Sequence, residues 1–258
     1  MIIDCHTHLS SPEQGVDFVE HQRVFQELDG CFVLASLQED RAESNRIVAE
    51  YLQKNAHAIG FAVIDPIQDL YEEKDIKSLT VNQGFKGIVL YCTEGQFHPT
   101  HSQAMCLYEQ CQELGLVVFF HNSPPFSQNS VMEYAQPVLL DEIARDYPDL
   151  KLLLGRMGIP FIEQTVCLLS KHPNVYADLT IVPQKVWQVY NMVMSAYEAG
   201  VMDKLLFGSG YPYAGPDVCI ETLLGFNKLL SDTHLPQVPR EKLRSIVERD
   251  TQAILGLK

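Results

Sequence analysis

The sequence contains neither a long apolar run nor a block of basic residues. No stretch approaches the roughly 18 apolar residues that a membrane-spanning helix needs, and no signal peptide is recognisable. The net charge is −14, from 33 acidic and 19 basic residues. This balance does not favour nucleic acid or an anionic membrane surface as a partner. We therefore expect a cytoplasmic protein that binds neither of them.

Two further absences narrow the class of protein. The seven cysteines are odd in number and show no paired spacing, which is typical of thiols in a reducing compartment. No Gly-rich dinucleotide or P-loop fingerprint follows any apolar run. The second absence counts against a doubly wound sheet that binds a nucleotide.

Eight short apolar runs alternate with amphipathic stretches along the 258 residues. They lie at residues 2–5, 31–36, 59–64, 87–91, 116–120, 151–154, 175–179 and 205–207. Continuous apolar runs are typical of parallel strands that are buried on both faces. They predict an α/β protein, a single (β/α)8 TIM-barrel domain over residues 1–258, with a doubly wound open sheet as the alternative. Residues 235–258, opened by Pro239, are predicted to form a C-terminal helix.

A His-x-His pattern directly follows the first apolar run and continues the same predicted strand. Because side chains alternate along a strand, Asp4, His6 and His8 share one face. Two imidazoles at this spacing can chelate one divalent cation. His121 directly follows the fifth run, and the C-terminal ends of barrel strands meet at one rim. We therefore predict a metal site of His6, His8 and His121 with zinc as the expected ion. The alternative is histidines that only satisfy hydrogen bonds at the rim.

Several segments around the predicted strands match known motifs. They are Ile3-Asp4-Cys5-His6-Thr7-His8, Glu43-Ser44-Asn45, Gly60-Phe61-Ala62-Val63-Ile64-Asp65-Pro66, Gly84-Phe85-Lys86-Gly87, Glu113-Leu114-Gly115-Leu116, Pro148-Asp149-Leu150-Lys151, Pro173-Asn174-Val175-Tyr176, and Leu206-Phe207-Gly208-Ser209 with Tyr211-Pro212. With these segments the sequence resembles the amidohydrolase superfamily, specifically the amidohydrolase-related group that includes aminocarboxymuconate-semialdehyde decarboxylase. The resemblance covers nearly the whole chain and implies a TIM barrel with a metal-dependent site.

Two positions depart from the pattern of that group. Its members usually end strand eight with an aspartate that binds metal and transfers protons, where this chain has Gly210. They usually end strand six with a histidine that helps to activate water, where this chain has Arg156. Arginine stays charged at neutral pH and cannot act as a base. We therefore expect the metal to be weakly bound or absent, and Arg156 to bind an anionic group of the substrate. The alternative for Arg156 is an ion pair with Asp178 or Glu94.

The resemblance and its two departures together imply a hydrolase that acts on a small anionic substrate carrying a carboxylate. A catalytically impaired or metal-free descendant that only binds a ligand is the competing interpretation. A decarboxylase, hydratase or lactonase of the same group would share the site. The sequence identifies no catalytic residue beyond these candidates, and it leaves open whether the protein forms a homo-oligomer.

Overall fold

The computed structural model describes residues 1–11, 15–69, 71–122 and 124–257. Within them, eight parallel strands form one sheet, in which each strand pairs with the next one along the chain. The strands are β1 Ile3–Thr7, β2 Gly30–Leu34, β3 Ala58–Val63, β4 Gly87–Leu90, β5 Val117–Phe120, β6 Leu152–Leu154, β7 Val175–Thr180 and β8 Leu205–Gly208. A separate antiparallel pair, Ser10–Ser11 and Gly15–Val16, follows β1.

An α-helix follows each strand of the sheet. These helices are α1 Phe18–Phe25, α2 Arg41–Lys54, α3 Glu73–Val81, α4 Ser102–Glu113, α5 Leu140–Asp146, α6 Ile162–Lys171, α7 Val186–Glu198 and α8 Pro216–Leu224, and α9 Arg240–Val247 and α10 Thr251–Leu255 come last. Short 3-10 helices are Met132–Ala135, Pro137–Leu139, Gly155–Gly158, Met202–Lys204 and Phe226–Leu230. None of the helices in the described ranges combines the length and the apolarity that crossing a membrane requires.

The barrel closes through the residues that follow β8. The Gly210 N–H donates to the His6 carbonyl at 2.9 Å, and the His8 N–H donates to the Tyr211 carbonyl at 2.9 Å. Oδ1 of the buried Asp4 accepts from the Ser209 N–H at 3.0 Å and so joins β1 to the same segment. The strands are buried on both faces, as their continuous apolar runs indicate. The (β/α)8 barrel predicted from the sequence is therefore confirmed.

The prediction of one C-terminal helix over residues 235–258 is wrong in one respect, because this range contains two helices, α9 and α10. The chain leaves helical geometry between α9 and α10, where the Asp250 carboxylate accepts from the Ala253 N–H at 3.1 Å. If the first helix continued, this N–H would bond to a backbone carbonyl of the preceding turn, and here the capping side chain accepts from it instead. Asp250 thus ends the first helix in favour of a second.

Asn174 connects three segments of the chain just before β7. This side chain is almost fully buried, and its Nδ2 donates to the carbonyls of Ala144 at 3.3 Å, Tyr147 at 3.0 Å and Leu150 at 2.9 Å. One amide therefore fixes α5 and the approach to β6 against β7. This explains why an asparagine stands in the Pro-Asn-Val-Tyr segment.

Asn174→Ala is expected to lower the free energy of unfolding by about 2 kcal/mol, because buried carbonyls would lose their donor. Denaturant unfolding followed by circular dichroism measures this change. Asn82→Ala is the matched control, since Asn82 is exposed and its Nδ2 bonds only to Ser78 among the contacts described. The control should shift stability by less than about 0.5 kcal/mol. Equal shifts would show that Asn174 contributes no more than a surface amide.

Candidate metal centre

Three histidines meet at the C-terminal ends of β1 and β5. His6 lies in β1, His8 comes shortly after it, and His121 follows β5, where its N–H donates to the Leu90 carbonyl at 2.9 Å. The ring centroids are 5.2, 5.4 and 5.5 Å apart. One nitrogen of each ring lies within 4.8 Å of the other two. The structure thus brings together all three residues that the sequence proposed as metal ligands.

Hydrogen bonds to Nδ1 orient the rings of His6 and His8. Nδ1 of His6 lies 2.9 Å from Oδ2 of Asp178, and Nδ1 of His8 lies 3.0 Å from the Leu34 carbonyl. A carbonyl or an ionised carboxylate only accepts, so each Nδ1 donates and Nε2 is the nitrogen that is left to bind a metal. This arrangement is typical of histidines that bind a metal through Nε2.

Burial disfavours a positive charge on His8 and His121. It lowers the pKa of His8 to about 3, and the neighbouring His6 adds to the shift. Burial also holds the pKa of His121 well below its usual value, and His6, His8 and Arg156 further disfavour a positive charge there. Neutral imidazole is the form that binds metal ions. In addition, Nδ1 of His121 is buried and has no hydrogen-bond partner among the described residues. The donor set therefore fits a divalent cation, which His6, His8 and His121 would hold.

Carboxylates are scarce around the three imidazoles. Position 210 is a glycine with a φ of +70°, and a Cβ built there would lie 2.7 Å from Cγ2 of Thr180. Asp178 is fully buried, with Oδ2 against His6 and Oδ1 accepting from the Thr180 hydroxyl. Glu94 is the one carboxylate among the described residues that line the cavity. The acid that contacts a candidate ligand directly is thus Asp178, which the sequence suggested only as a partner of Arg156.

Asp4, on the same strand as His6, accepts hydrogen bonds from the backbone of the site. Its Oδ1 accepts from the backbone N–H groups of His6 and Ser209, each at 3.0 Å. Burial raises its pKa to about 6, although these hydrogen bonds partly offset the shift. Asp4 therefore holds the backbone of the site, and the imidazole of His6 takes its orientation from Asp178.

Arg156 reaches the site from the turn after β6. It lies in the 3-10 helix Gly155–Gly158, and its side chain is largely buried. Burial lowers the pKa of Arg156, whereas the negative charge of Asp178 opposes that shift. Arg156 borders a cavity of about 810 Å³, whose charged and imidazole-bearing lining residues are His6, His8, Glu94, His121, Arg156 and Lys185. A guanidinium and three imidazoles therefore face one space that accommodates a small molecule.

Two further lining residues were not identified from the sequence as part of the site. The ring of Tyr91 lies 4.5 Å from that of His121, and its hydroxyl donates to the Ala35 carbonyl at 3.0 Å. Burial raises the pKa of Tyr91, so its hydroxyl stays protonated. Lys185 precedes α7 and brings a second positive charge to the cavity. Apolar periodicity gives no sign of either role, because Tyr91 directly follows the buried strand β4 and Lys185 lies in a loop.

Several solved structures are similar to this chain over almost their full length. The probable 2-pyrone-4,6-dicarboxylic acid hydrolase of Acinetobacter baumannii, with citric acid bound, has a TM-score of 0.72 and 15% identity over 99% of both chains. The dihydroxybenzoic acid decarboxylase of Polaromonas sp. JS666, with manganese and 2-nitroresorcinol bound, has a TM-score of 0.68 and 15% identity, covering 99% of this chain and 97% of that one. The 5-carboxyvanillate decarboxylase of Sphingomonas paucimobilis has a TM-score of 0.69 and 13% identity, covering 100% and 99%.

Identities this low establish the fold alone. Among curated proteins, none matches the sequence. A family model described as amidohydrolase, in contrast, matches residues 3–246. That range begins with β1 and ends in α9, so it contains the three histidines, Arg156 and Gly210. The chain therefore belongs to the amidohydrolase family.

Proposed function

We propose that this protein is a metal-dependent hydrolase that acts on a small substrate carrying a carboxylate. The observation behind the proposal is a cavity in which three imidazoles converge beside a buried guanidinium. His6, His8 and His121 suit a divalent cation, and zinc is the ion that we expect. Arg156 suits a carboxylate, because the planar guanidinium presents two N–H groups to two oxygens.

Each group in the cavity has a distinct role in this proposal. His6, His8 and His121 would hold a divalent cation, which would polarise a substrate oxygen as a Lewis acid and make bound water more acidic. Arg156 binds the carboxylate of the substrate and so orients the bond that reacts. Glu94 takes up a proton when water attacks, since a base is required at that step. Asp178 keeps the ring of His6 in one orientation through the hydrogen bond to Nδ1.

The named activities of the structural neighbours support this substrate class. One is named as a hydrolase of a dicarboxylic acid, and two are named as decarboxylases of dihydroxybenzoic acid and 5-carboxyvanillate, the former with manganese bound. Decarboxylation is for that reason our second candidate function. It would use the same cation site and the same guanidinium, and manganese would then be the alternative to zinc.

Turnover assays distinguish the candidate functions. Protein loaded with zinc or with manganese is incubated in H₂¹⁸O with carboxylate-bearing amides, esters and lactones, and with aromatic carboxylic acids. Incorporation of ¹⁸O into the organic product identifies hydrolysis, whereas release of CO₂ with no ¹⁸O in the organic product identifies decarboxylation. Matched substrates that lack the carboxylate should react more slowly. No turnover by either loaded form would contradict both proposals and favour a ligand-binding descendant of the family.

We also propose a cytoplasmic location and a small anionic molecule as the partner. All seven cysteines are free thiols, which supports a reducing compartment. The cavity is lined by two positively charged side chains, those of Arg156 and Lys185. Their charge supports an anionic partner.

The glycine at position 210 weakens the site for a cation. Three neutral ligands attract a dication less strongly than the same ligands with an added carboxylate. We therefore expect the unmodified protein to purify with less than one equivalent of zinc. Elemental analysis of the purified protein measures this occupancy. A full equivalent that survives dialysis against a chelator would contradict this account of Gly210.

Restoring the acid requires a second change, because the structure leaves no room for a Cβ at position 210. The backbone there is left-handed, and the Cγ2 methyl of Thr180 stands in the way. Gly210→Asp alone should therefore lower the free energy of unfolding by about 1–2 kcal/mol. Adding Thr180→Ser removes the methyl and keeps the hydroxyl that donates to Asp178.

We expect the double variant to recover part of that stability and to bind more zinc than the unmodified protein. Denaturant unfolding and elemental analysis give the two readouts, and Thr180→Ser alone is the control. If the double variant is stable but binds no additional zinc, position 210 does not face the cation.

A further inference from the structure

The turn that carries Arg156 has an unusual backbone. Arg156, Met157 and Gly158 follow one another with φ values of 52°, 49° and 62°. Left-handed geometry is uncommon for residues other than glycine, and two such residues in succession persist only where their surroundings hold them. The conformation of this turn must therefore be stabilised by specific contacts.

Thr165 of α6 supplies one of these contacts. Its side chain is fully buried, and its hydroxyl donates to the Met157 carbonyl at 2.9 Å. The same hydroxyl occupies the space beside Gly158, where a Cβ would lie 2.4 Å from Oγ1. The glycine and the threonine thus fit together, and the hydrogen bond acts on the middle residue of the left-handed turn.

Asn122 supplies a second contact, at the residue that directly follows the turn. This buried residue follows His121, and its Nδ2 donates to the Ile159 carbonyl at 2.7 Å. The turn is therefore fixed at one point to α6 and at another to the residue next to a candidate metal ligand. Thr165 is not among the described residues that line the large cavity, so any effect of its hydroxyl on a bound molecule must pass through the turn.

We propose that Thr165 is a positioning residue for Arg156. Its hydroxyl holds the left-handed turn in the conformation that directs the guanidinium into the cavity. The inference rests on the proposed role of Arg156 in binding a carboxylate. In this account the hydroxyl of Thr165 affects the affinity for a carboxylate without touching it, and it leaves the affinity for a cation unchanged.

Calorimetric titration with benzoate tests the inference. Thr165→Val removes the hydroxyl at nearly constant volume and should weaken benzoate binding roughly 5- to 10-fold, the change expected for one lost hydrogen bond. Thr165→Ser keeps the hydroxyl and should bind benzoate within about twofold of the unmodified protein. Zinc affinity, measured in parallel after removal of metal with a chelator, should be the same in all of these proteins.

Thr251→Val is the matched control, because Thr251 is also buried and its hydroxyl also bonds a backbone carbonyl, that of Arg249. This control should lower stability without changing benzoate affinity. If Thr165→Val does not fold, Thr165→Ala takes its place, with the same expected loss of affinity.

Titration of Arg156→Lys with benzoate distinguishes the positioning role of Thr165 from the carboxylate-binding role of Arg156. If Arg156→Lys weakens benzoate binding and removal of the Thr165 hydroxyl does not, the positioning role is overturned and the proposed function stands. If Arg156→Lys has no effect on benzoate binding, both the positioning role and the carboxylate-binding role of Arg156 are overturned. Loss of benzoate affinity in Thr165→Ser as well would show that the hydroxyl is not the group responsible.

Discussion

His121→Ala is expected to raise the Kd for zinc by at least about 100-fold. Replacing a residue that merely hydrogen-bonds to a ligating histidine already weakens metal binding roughly 10- to 100-fold. His121 is one of three residues that form the candidate site in the described part of the chain, and no side chain at position 210 compensates for its loss. The remaining His6 and His8 would leave a dication with two neutral ligands.

Competition with a fluorescent zinc chelator measures this Kd. His57→Ala is the matched control, since His57 is exposed and outside the site. Asp178→Asn provides an intermediate case, because it keeps the shape of the side chain and removes the charge that faces Nδ1 of His6. We expect it to weaken zinc binding roughly 10- to 100-fold. If His121→Ala and His57→Ala bind zinc equally well, the three histidines do not form a metal site.

Much of the barrel was predictable because its strands are buried on both faces. The run at residues 175–179 corresponds to β7 Val175–Thr180, and the run at 87–91 corresponds to β4 Gly87–Leu90. Burial on two faces produces an uninterrupted apolar run, whose ends are visible in the sequence. The break between α9 and α10 was not predictable in this way. It depends on a local hydrogen bond of the Asp250 carboxylate, which competes with an amphipathic pattern that continues past it.

One rule made part of the site predictable: the strands of a barrel present their C-terminal ends at one rim. That rule placed His6, His8 and His121 together. The contact between His6 and Asp178 joins residues 172 positions apart, so it exists only once the barrel has closed. The left-handed turn at Arg156 also gave no signal, because arginine does not favour positive φ. What the sequence left open are therefore the contacts that tertiary structure alone creates.

The second large effect concerns Arg156, which lies in this left-handed turn. Arg156→Lys is expected to weaken the binding of benzoate by about 1–3 kcal/mol, which is roughly 5- to 150-fold. Lysine keeps the positive charge, so the electrostatic interaction with Asp178 is largely retained. What lysine lacks is the planar pair of N–H groups that bonds both oxygens of a carboxylate at once. The substitution thus separates the geometry of the guanidinium from its charge.

Calorimetry on metal-free and zinc-loaded protein measures this difference, and the loss should appear in both forms if Arg156 contacts the carboxylate itself. Arg244→Lys is the matched control, because Arg244 is an exposed arginine of α9 whose Nε bonds Glu248. It should leave benzoate affinity unchanged. A loss confined to the zinc-loaded form would instead place the carboxylate on the cation, with Arg156 acting at a distance. Equal affinities of the unmodified and Arg156→Lys proteins in both forms would make Arg156 part of the scaffold, and the ligand-binding descendant would then become the better interpretation of this cavity.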